Sequence, residues 1–246
     1  MNRAVLLMGG SYRSKTDDGM TVLLWFANPR RNFRSPDHAL AVRKSEEQRQ
    51  RDVARTKSGN KDAQLRKAAI EEVAEHGLAA ASVNRMADRA EVSVGTVYRY
   101  YADKNAVLRD AYLHLKFDLS RAMLEAAAPC ATSKDKIRTA LRAFANHVLA
   151  NPQHVIFLET VGTATILGPE DLQKVAAIDA DLNQLLNDGI ADGTLRPAPI
   201  EAIATMLLAP IIHTARRAAH QSIRQKPAHV DEILEMCWYS VARDHK

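Results

Sequence analysis

Cysteine is almost absent from this 246-residue chain: Cys130 and Cys237 stand 107 positions apart, with no further thiol near either. That excludes a disulfide scaffold and a Cys-rich zinc site, and it fits a reducing cytosol. No apolar run reaches the roughly 18 residues that a membrane-spanning helix needs. At the start, Arg3 is followed only by Val5–Met8 before Gly9, too short for a secretory signal core. The expected location is therefore cytoplasmic, with no membrane partner. Gly-rich phosphate loops and nucleophile elbows are missing too, so nothing in the sequence announces an enzyme.

What the chain does have is an uneven charge. Its formal net charge is +5, yet residues 1–61 hold 13 Lys/Arg against 6 Asp/Glu, whereas residues 62–246 hold 21 against 23. Met20–Ala27 is a brief apolar island, and residues 29–61 are rich in Arg, Lys, Gln and Ser, too polar to offset the entropy of ordering. Residues 1–61 read as a basic, mostly disordered arm, with Met20 as an alternative start. A solubilising tail is the simpler reading of it. The sharper one sends Arg49, Arg51, Arg55 and Lys57 into a minor groove, as basic arms do elsewhere.

From Asp62 onward the pattern is helical. Leu65, Ala69 and Val73 recur at four-residue spacing, and Gly77 reads as a left-handed C-terminal stop. Ser82, Ser93 and Asp103 read as N-caps of three successive helices, the third running to about Ala127 before Pro129. Ser133 opens a helix with the stripe Ile137, Leu141, Phe144 and Val148, which Asn151-Pro152 breaks. Another helix follows to Gly168-Pro169, and a third carries Leu172, Val175, Ile178, Leu182 and Leu185. After the interruption at residues 192–199, Ile200–Ile212 is apolar nearly all round, with Pro210 expected to kink it. Val230, Ile233, Cys237 and Val241 form the last stripe. No alternating strand pattern competes, so about nine helices and no sheet are expected.

The segment Ser82–Tyr101 (SVNRMADRAEVSVGTVYRYY) has the spacing of a helix-turn-helix. Ala87 is the small residue where two short helices cross, the chain turns at Glu91, and Val97 points back into the core. That leaves Thr96, Tyr98, Arg99 and Tyr100 on the outer side of a helix sized for the major groove. Here the chain resembles the tetracycline-repressor (TetR) family of bacterial transcriptional regulators. The resemblance rests on Ala74-Glu75-His76-Gly77, Ser82-Val83, Met86-Ala87, Ala90, Val92-Ser93, Val97 to Tyr101, Asp103-Lys104 and Leu108. It covers roughly residues 62–110. Glu91 departs from the usual turn glycine, which if left-handed costs about 1–2 kcal/mol. Tyr101 stands where phenylalanine is common, and Met86 where isoleucine is.

The resemblance implies roles residue by residue. Val94, Gly95 and Thr96 would open the recognition helix against base edges, with Ser93 beside them. Tyr98, Tyr100 and Lys104 look like phosphate ligands. Ser82, Asn84 and Arg85 would approach the backbone or groove edge, and Arg99 reads equally as a DNA contact or a solvated charge. Tyr101 reads as core. The nine histidines suggest a metal and do not sustain one: Pro152 interrupts the helix between His147 and His154, and His213 and His220 lack a third ligand at suitable spacing. Neither a metal nor a cofactor is expected.

The implied architecture is all-α. A three-helix DNA-binding domain at 62–110 is followed by a larger helical effector-binding and dimerisation domain at 111–246. Dimerisation is expected through the last two helices, about 199–221 and 227–243, because a helix apolar on all sides must be covered on more than one. A pocket for an unidentified small-molecule effector is expected among Phe144, His147, Phe157, Thr160, Thr163, Met206 and His213, which mix apolar walls with sparse polar groups. The function implied is a homodimeric, ligand-responsive repressor on a palindromic double-stranded DNA operator. Two alternatives stand beside it: a nucleoid-type DNA-coating protein without an effector, and a helical enzyme with a vestigial DNA module.

Overall fold

A computed structural model describes residues 59–162, 164, 166–221 and 227–243. Most of the basic arm, with Arg49, Arg51, Arg55 and Lys57, lies outside the described residues, as does Thr163. Nine helices form among the described residues. They are α1 Gly59–Ala80, α2 Val83–Arg89, α3 Val94–Tyr100, α4 Lys104–Ala127, α5 Ser133–Ala150, α6 Pro152–Gly162, α7 Pro169–Ala191, α8 Ile200–Gln221 and α9 Pro227–Val241. Their order and number match the all-α expectation.

The three short-range caps explain why the first helices start where they do. Ser82 Oγ accepts from the Arg85 amide at 3.2 Å, Ser93 Oγ from the Thr96 amide at 3.1 Å, and Asp103 Oδ1 from the Ala106 amide at 2.8 Å. Each satisfies an amide that the helix itself cannot, and is worth about 1 kcal/mol. Asn151 closes α5, and Pro152 opens α6 at a position where its missing N–H costs nothing.

Several boundaries differ from the sequence reading. Gly77 does have positive φ (75°), but its ψ of 165° makes it a kink inside α1; helical turns resume as far as Ala80. Ser133 opens α5 as expected, with Thr132 as its cap. The helix after Pro152 ends at Gly162 rather than at Gly168. Leu172 is half exposed instead of lying on a buried stripe. The loop 192–199 also makes a contact that periodicity does not encode. Leu195 forms an isolated antiparallel bridge with Ala242, which ties the end of α9 back to the start of the loop.

The core is continuous. Leu65, Ala69, Val73, Met86, Ala87 and Val97 close the α1–α2–α3 tripod, and Val107, Leu108 and Ala111 carry it into α4. In the larger body, α4 packs against α5 and α7, and α5 against α8; α1 also rests on α6. α8 and α9 lie against each other at one side of the body. No described helix is long and apolar enough to cross a membrane.

Candidate nucleic-acid interface

The α2–α3 pair is built around two buried side chains. Ala87 is fully buried where α2 meets α3, and the Val92 amide donates to the Ala87 carbonyl at 3.0 Å, closing the turn. Val97, also buried, anchors α3 from below. Glu91, between the helices, has φ 53°, the left-handed conformation that L-residues adopt at a cost.

With Val97 facing inward, the other side of α3 is turned to solvent. Tyr98 is 55% exposed, and Ser93, Gly95 and Arg99 are exposed as well, while Thr96 is partly covered. Thr96 Oγ1 lies 2.9 Å from Ser93 Oγ, so the helix opens on two hydroxyls beside free amides. Gly95 leaves the backbone bare there; a Cβ would have only Ser93 Oγ within 4 Å, at 3.8 Å. Val94 is half-buried against the core, and Tyr100 is half-buried with the Arg99 guanidinium 5.3 Å from its ring centre. Such a surface offers hydroxyl and amide donors for phosphate and short side chains for base edges.

Lys104, the first residue of α4, reaches back across α1. Its Nζ donates to the carbonyls of Leu78 at 3.3 Å and Ala81 at 3.1 Å. An ammonium has three N–H donors, so this arrangement fixes the side chain and leaves one direction for an external acceptor. On the other side of α2, Asn84 is exposed, but Arg85 is turned inward onto Glu72 and the Ala80 carbonyl. Arg85 is therefore already engaged within the domain. Ser82 and Ser93 serve as caps.

Two polar hubs were not recognised in the sequence. Asp110 on α4 accepts from Tyr101 Oη at 2.7 Å and from Arg66 Nη1 at 3.2 Å, and His114 Nδ1 lies 3.0 Å away. Burial alone would favour the neutral acid. Hydrogen bonds from His114 and Tyr101, with the charges of His114 and Arg66, outweigh it and hold the Asp110 pKa down to about 2. Tyr101 is thus tied to α4 by its hydroxyl as well as packed by its ring. Glu72 on α1 is wholly buried and receives the Ser82 amide at 3.1 Å. The available signal was positional: Glu72 lies seven residues after Leu65, on the apolar face of α1, with Arg85 and Arg89 one turn apart on the next helix.

Thr163 lies outside the described residues, and the other expected effector residues line neither the cavity between α4, α5, α7 and α8 nor the cleft between α5 and α9. Phe144 and Phe157 are fully buried core, Thr160 Oγ1 donates to the Ile156 carbonyl, and Met206 and His213 lie on the exposed side of α8. His147 Nε2 and His154 Nδ1 sit 2.9 Å apart, across the α5–α6 corner that Pro152 makes. Two cavities lie among other described residues. A cavity of about 30 Å³ between α4, α5, α7 and α8 is lined by Met123, Ile137, Leu141, Leu182, Leu186 and Leu207 among others. A second, open cleft of about 380 Å³ runs between α5 and α9 and is walled by Arg138, Arg142 and Glu235. Among the described residues no group of three or more His, Cys, Asp or Glu side chains could hold a metal.

A tripod of helices presenting a capped helix outward, mounted on a larger helical body, defines a helix-turn-helix DNA-binding protein. Residues 65–111 match the family model described as bacterial regulatory proteins, tetR family. A TetR family transcription regulator from Marinobacter aquaeolei VT8 superposes with TM-score 0.71 at 25% identity, over 77% of this chain and 100% of its own. A bacterial regulatory protein in the tetR family from Rhodococcus RHA1 does so with TM-score 0.63 at 21% identity, over 75% and 98%. FadR from Bacillus subtilis, solved in complex with stearoyl-CoA, gives TM-score 0.58 at 21% identity, over 71% and 96%. The chain is similar to TetR-family regulators in its helix-turn-helix segment and in its helical fold, which makes it a DNA-binding transcription regulator.

Proposed function

We propose that this regulator is a homodimeric repressor whose two α3 helices read the half-sites of a palindromic operator and whose helical body responds to a small-molecule effector. The observation that carries the reading is the division of α3: Val97 is buried while Tyr98, one residue on, is 55% exposed with the rest of the outer side. In this reading Gly95 and Thr96 meet base edges, and Tyr98, Tyr100 and the remaining donor of Lys104 bind phosphate. Asn84 approaches the groove edge. Arg99 adds charge at the margin.

Dimerisation through α8 and α9 is supported by what they leave uncovered. Met206 on α8 is 48% exposed, and Met236 and Tyr239 on α9 are 64% and 52% exposed. A two-fold four-helix contact would bury all three, and would space the recognition helices roughly one DNA turn, about 34–36 Å, apart. The apolar lining of the cavity between α4, α5, α7 and α8 favours an effector with a hydrocarbon part. At about 30 Å³ the cavity is small, against the ~300 Å³ or more of a site holding a small molecule. An effector would bind the conformer in which α4 has shifted to widen it. Because Lys104 heads α4, that shift would move the DNA end as well.

The test is a selection of bound duplexes followed by titration of two variants. Lys104→Ala should weaken every duplex alike and make the salt slope shallower by roughly 0.9, the loss of one phosphate contact. Thr96→Ala should instead change which sequences are selected. If neither variant alters binding, α3 and Lys104 do not form the interface.

A further inference from the structure

Glu72 is the most thoroughly enclosed charge in the DNA-binding domain, and it faces the helix that supports α3. Its side chain has no exposed surface. Oε1 accepts from the Ser82 amide at 3.1 Å and from Arg85 Nε at 2.6 Å, and Oε2 lies 3.4 Å from Arg89 Nε and 3.4 Å from His76 Nδ1. Burial opposes its ionisation. The Arg85 hydrogen bond, the Ser82 amide and the charges of Arg85 and His76 outweigh that and hold its pKa below the usual value. Arg89 is further paired with Glu75 through Nη2.

Both arginines lie on α2, the helix that crosses beneath the recognition helix, and both keep part of their side chains in solvent. Guanidiniums at such a place bind phosphate whatever the base sequence. Here Arg85 is held by the buried Glu72 carboxylate, and Arg89 by Glu72 and Glu75 together. Residues 62–110 carry seven Lys/Arg and eight Asp/Glu, so the domain is net −1. We propose that Glu72 is a positioning residue for DNA discrimination: it pins α2 to α1 at the Ser82 cap, and by holding Arg85 and Arg89 it withholds two cations from sequence-blind phosphate binding.

The inference rests on the reading that α2 and α3 meet DNA, and the experiment separates the two. Binding of the full-length protein to a random-sequence duplex is measured by anisotropy across a KCl series at pH 7.5. Glu72→Gln keeps the shape and an acceptor oxygen while removing the charge. It should raise affinity for the random duplex several-fold and steepen the log–log salt slope by roughly 0.9 for each phosphate gained. Adding Arg85→Gln and Arg89→Gln in the same chain should return the slope to that of the unaltered protein, an outcome that mere loosening of the domain does not produce. An unchanged slope in a folded Glu72→Gln protein overturns the proposal. Arg89→Gln alone leaves Glu72 on Arg85 and Ser82, so it decides the matter even if Glu72→Gln fails to fold. Its slope should equal that of the unaltered protein, and a shallower slope, by about one phosphate, shows that Arg89 already binds DNA and overturns it. Absence of any salt-dependent binding by the unaltered protein removes the DNA-facing reading itself, and this inference with it.

Discussion

Lys116 on α4 and Asp179 on α7 form an ion pair of 2.8 Å whose side chains are 4% and 7% exposed. It sits between the helix that leads to the DNA end and the helix that walls the apolar cavity. Burial pushes the Asp179 carboxyl up, against the Lys116 charge and hydrogen bond that bring it down. A buried pair of this kind seldom adds stability over a well-packed apolar pair, but stranding one partner is costly. Lys116→Met should therefore destabilise the protein by about 3–5 kcal/mol in denaturant titrations. Lys116→Met combined with Asp179→Leu should recover most of that loss. If the double variant is as unstable as the single, the pair contributes more than its own neutrality and α4–α7 register depends on it.

Glu91 carries the cost of the turn between α2 and α3. Its φ of 53° is one that glycine adopts freely, and its side chain is exposed. Glu91→Gly should raise stability by about 1 kcal/mol, seen as a higher midpoint in thermal or denaturant unfolding of the DNA-binding domain. Glu91→Val, with a branched side chain at the same φ, should lower it. A midpoint lowered by Glu91→Gly would mean that the carboxylate makes a contact outweighing the backbone strain.

The α1–α4 region was the most legible part of the chain, because its determinants are local. Ser82, Ser93 and Asp103 cap where they stand, and Ala87 and Val97 follow from helical spacing within twenty residues. What periodicity could not show was where polar side chains go once the helices pack. Arg85 looks free in sequence, yet it is claimed by Glu72, thirteen positions earlier on another helix. The same limit applies to the expected effector residues. Phe144 and Met206 both suit a pocket wall by type, but one is fully buried in solid core and the other lies on the outer side of α8. Only the packing of α4, α5, α7 and α8, set by contacts across more than sixty residues of sequence, locates the cavity at Met123, Leu182 and Leu207.

His147 and His154 make the fold acid-sensitive at the α5–α6 corner. Burial lowers the pKa of both, and the charge of His147 lowers that of His154 further, to about 4 from an ordinary 6.5. The sign follows from linkage. In the unfolded chain these imidazoles take up protons below about pH 6.5, whereas in the fold both resist doing so, His154 until the pH falls toward 4. Acidification across that window therefore favours the unfolded state, and their stabilising effect is complete only above it. Thermal melts between pH 7.5 and 4.5 should show a falling midpoint in the unaltered protein and a flatter profile in His154→Gln. Equal profiles would place the acid sensitivity in other groups.

The excess positive charge of this chain lies outside the helix-turn-helix domain. Residues 62–110 are net −1, and Arg66, Arg85 and Arg89 are all engaged with carboxylates there, whereas residues 1–61 carry a net +7. Non-specific binding scales with phosphates neutralised, so removal of residues 1–58 should make the salt slope on a random duplex shallower by several units, at roughly 0.9 per lost contact. Binding to a selected operator should weaken too, but with its sequence preference kept, since Gly95, Thr96 and Tyr98 remain. The comparison decides between the two readings of the arm. A large loss of slope assigns Arg49, Arg51, Arg55, Lys57 and their neighbours to the DNA backbone or minor groove; an unchanged slope leaves the arm a solubilising segment, with the attraction supplied by Lys104, Arg99 and the amides that open α3.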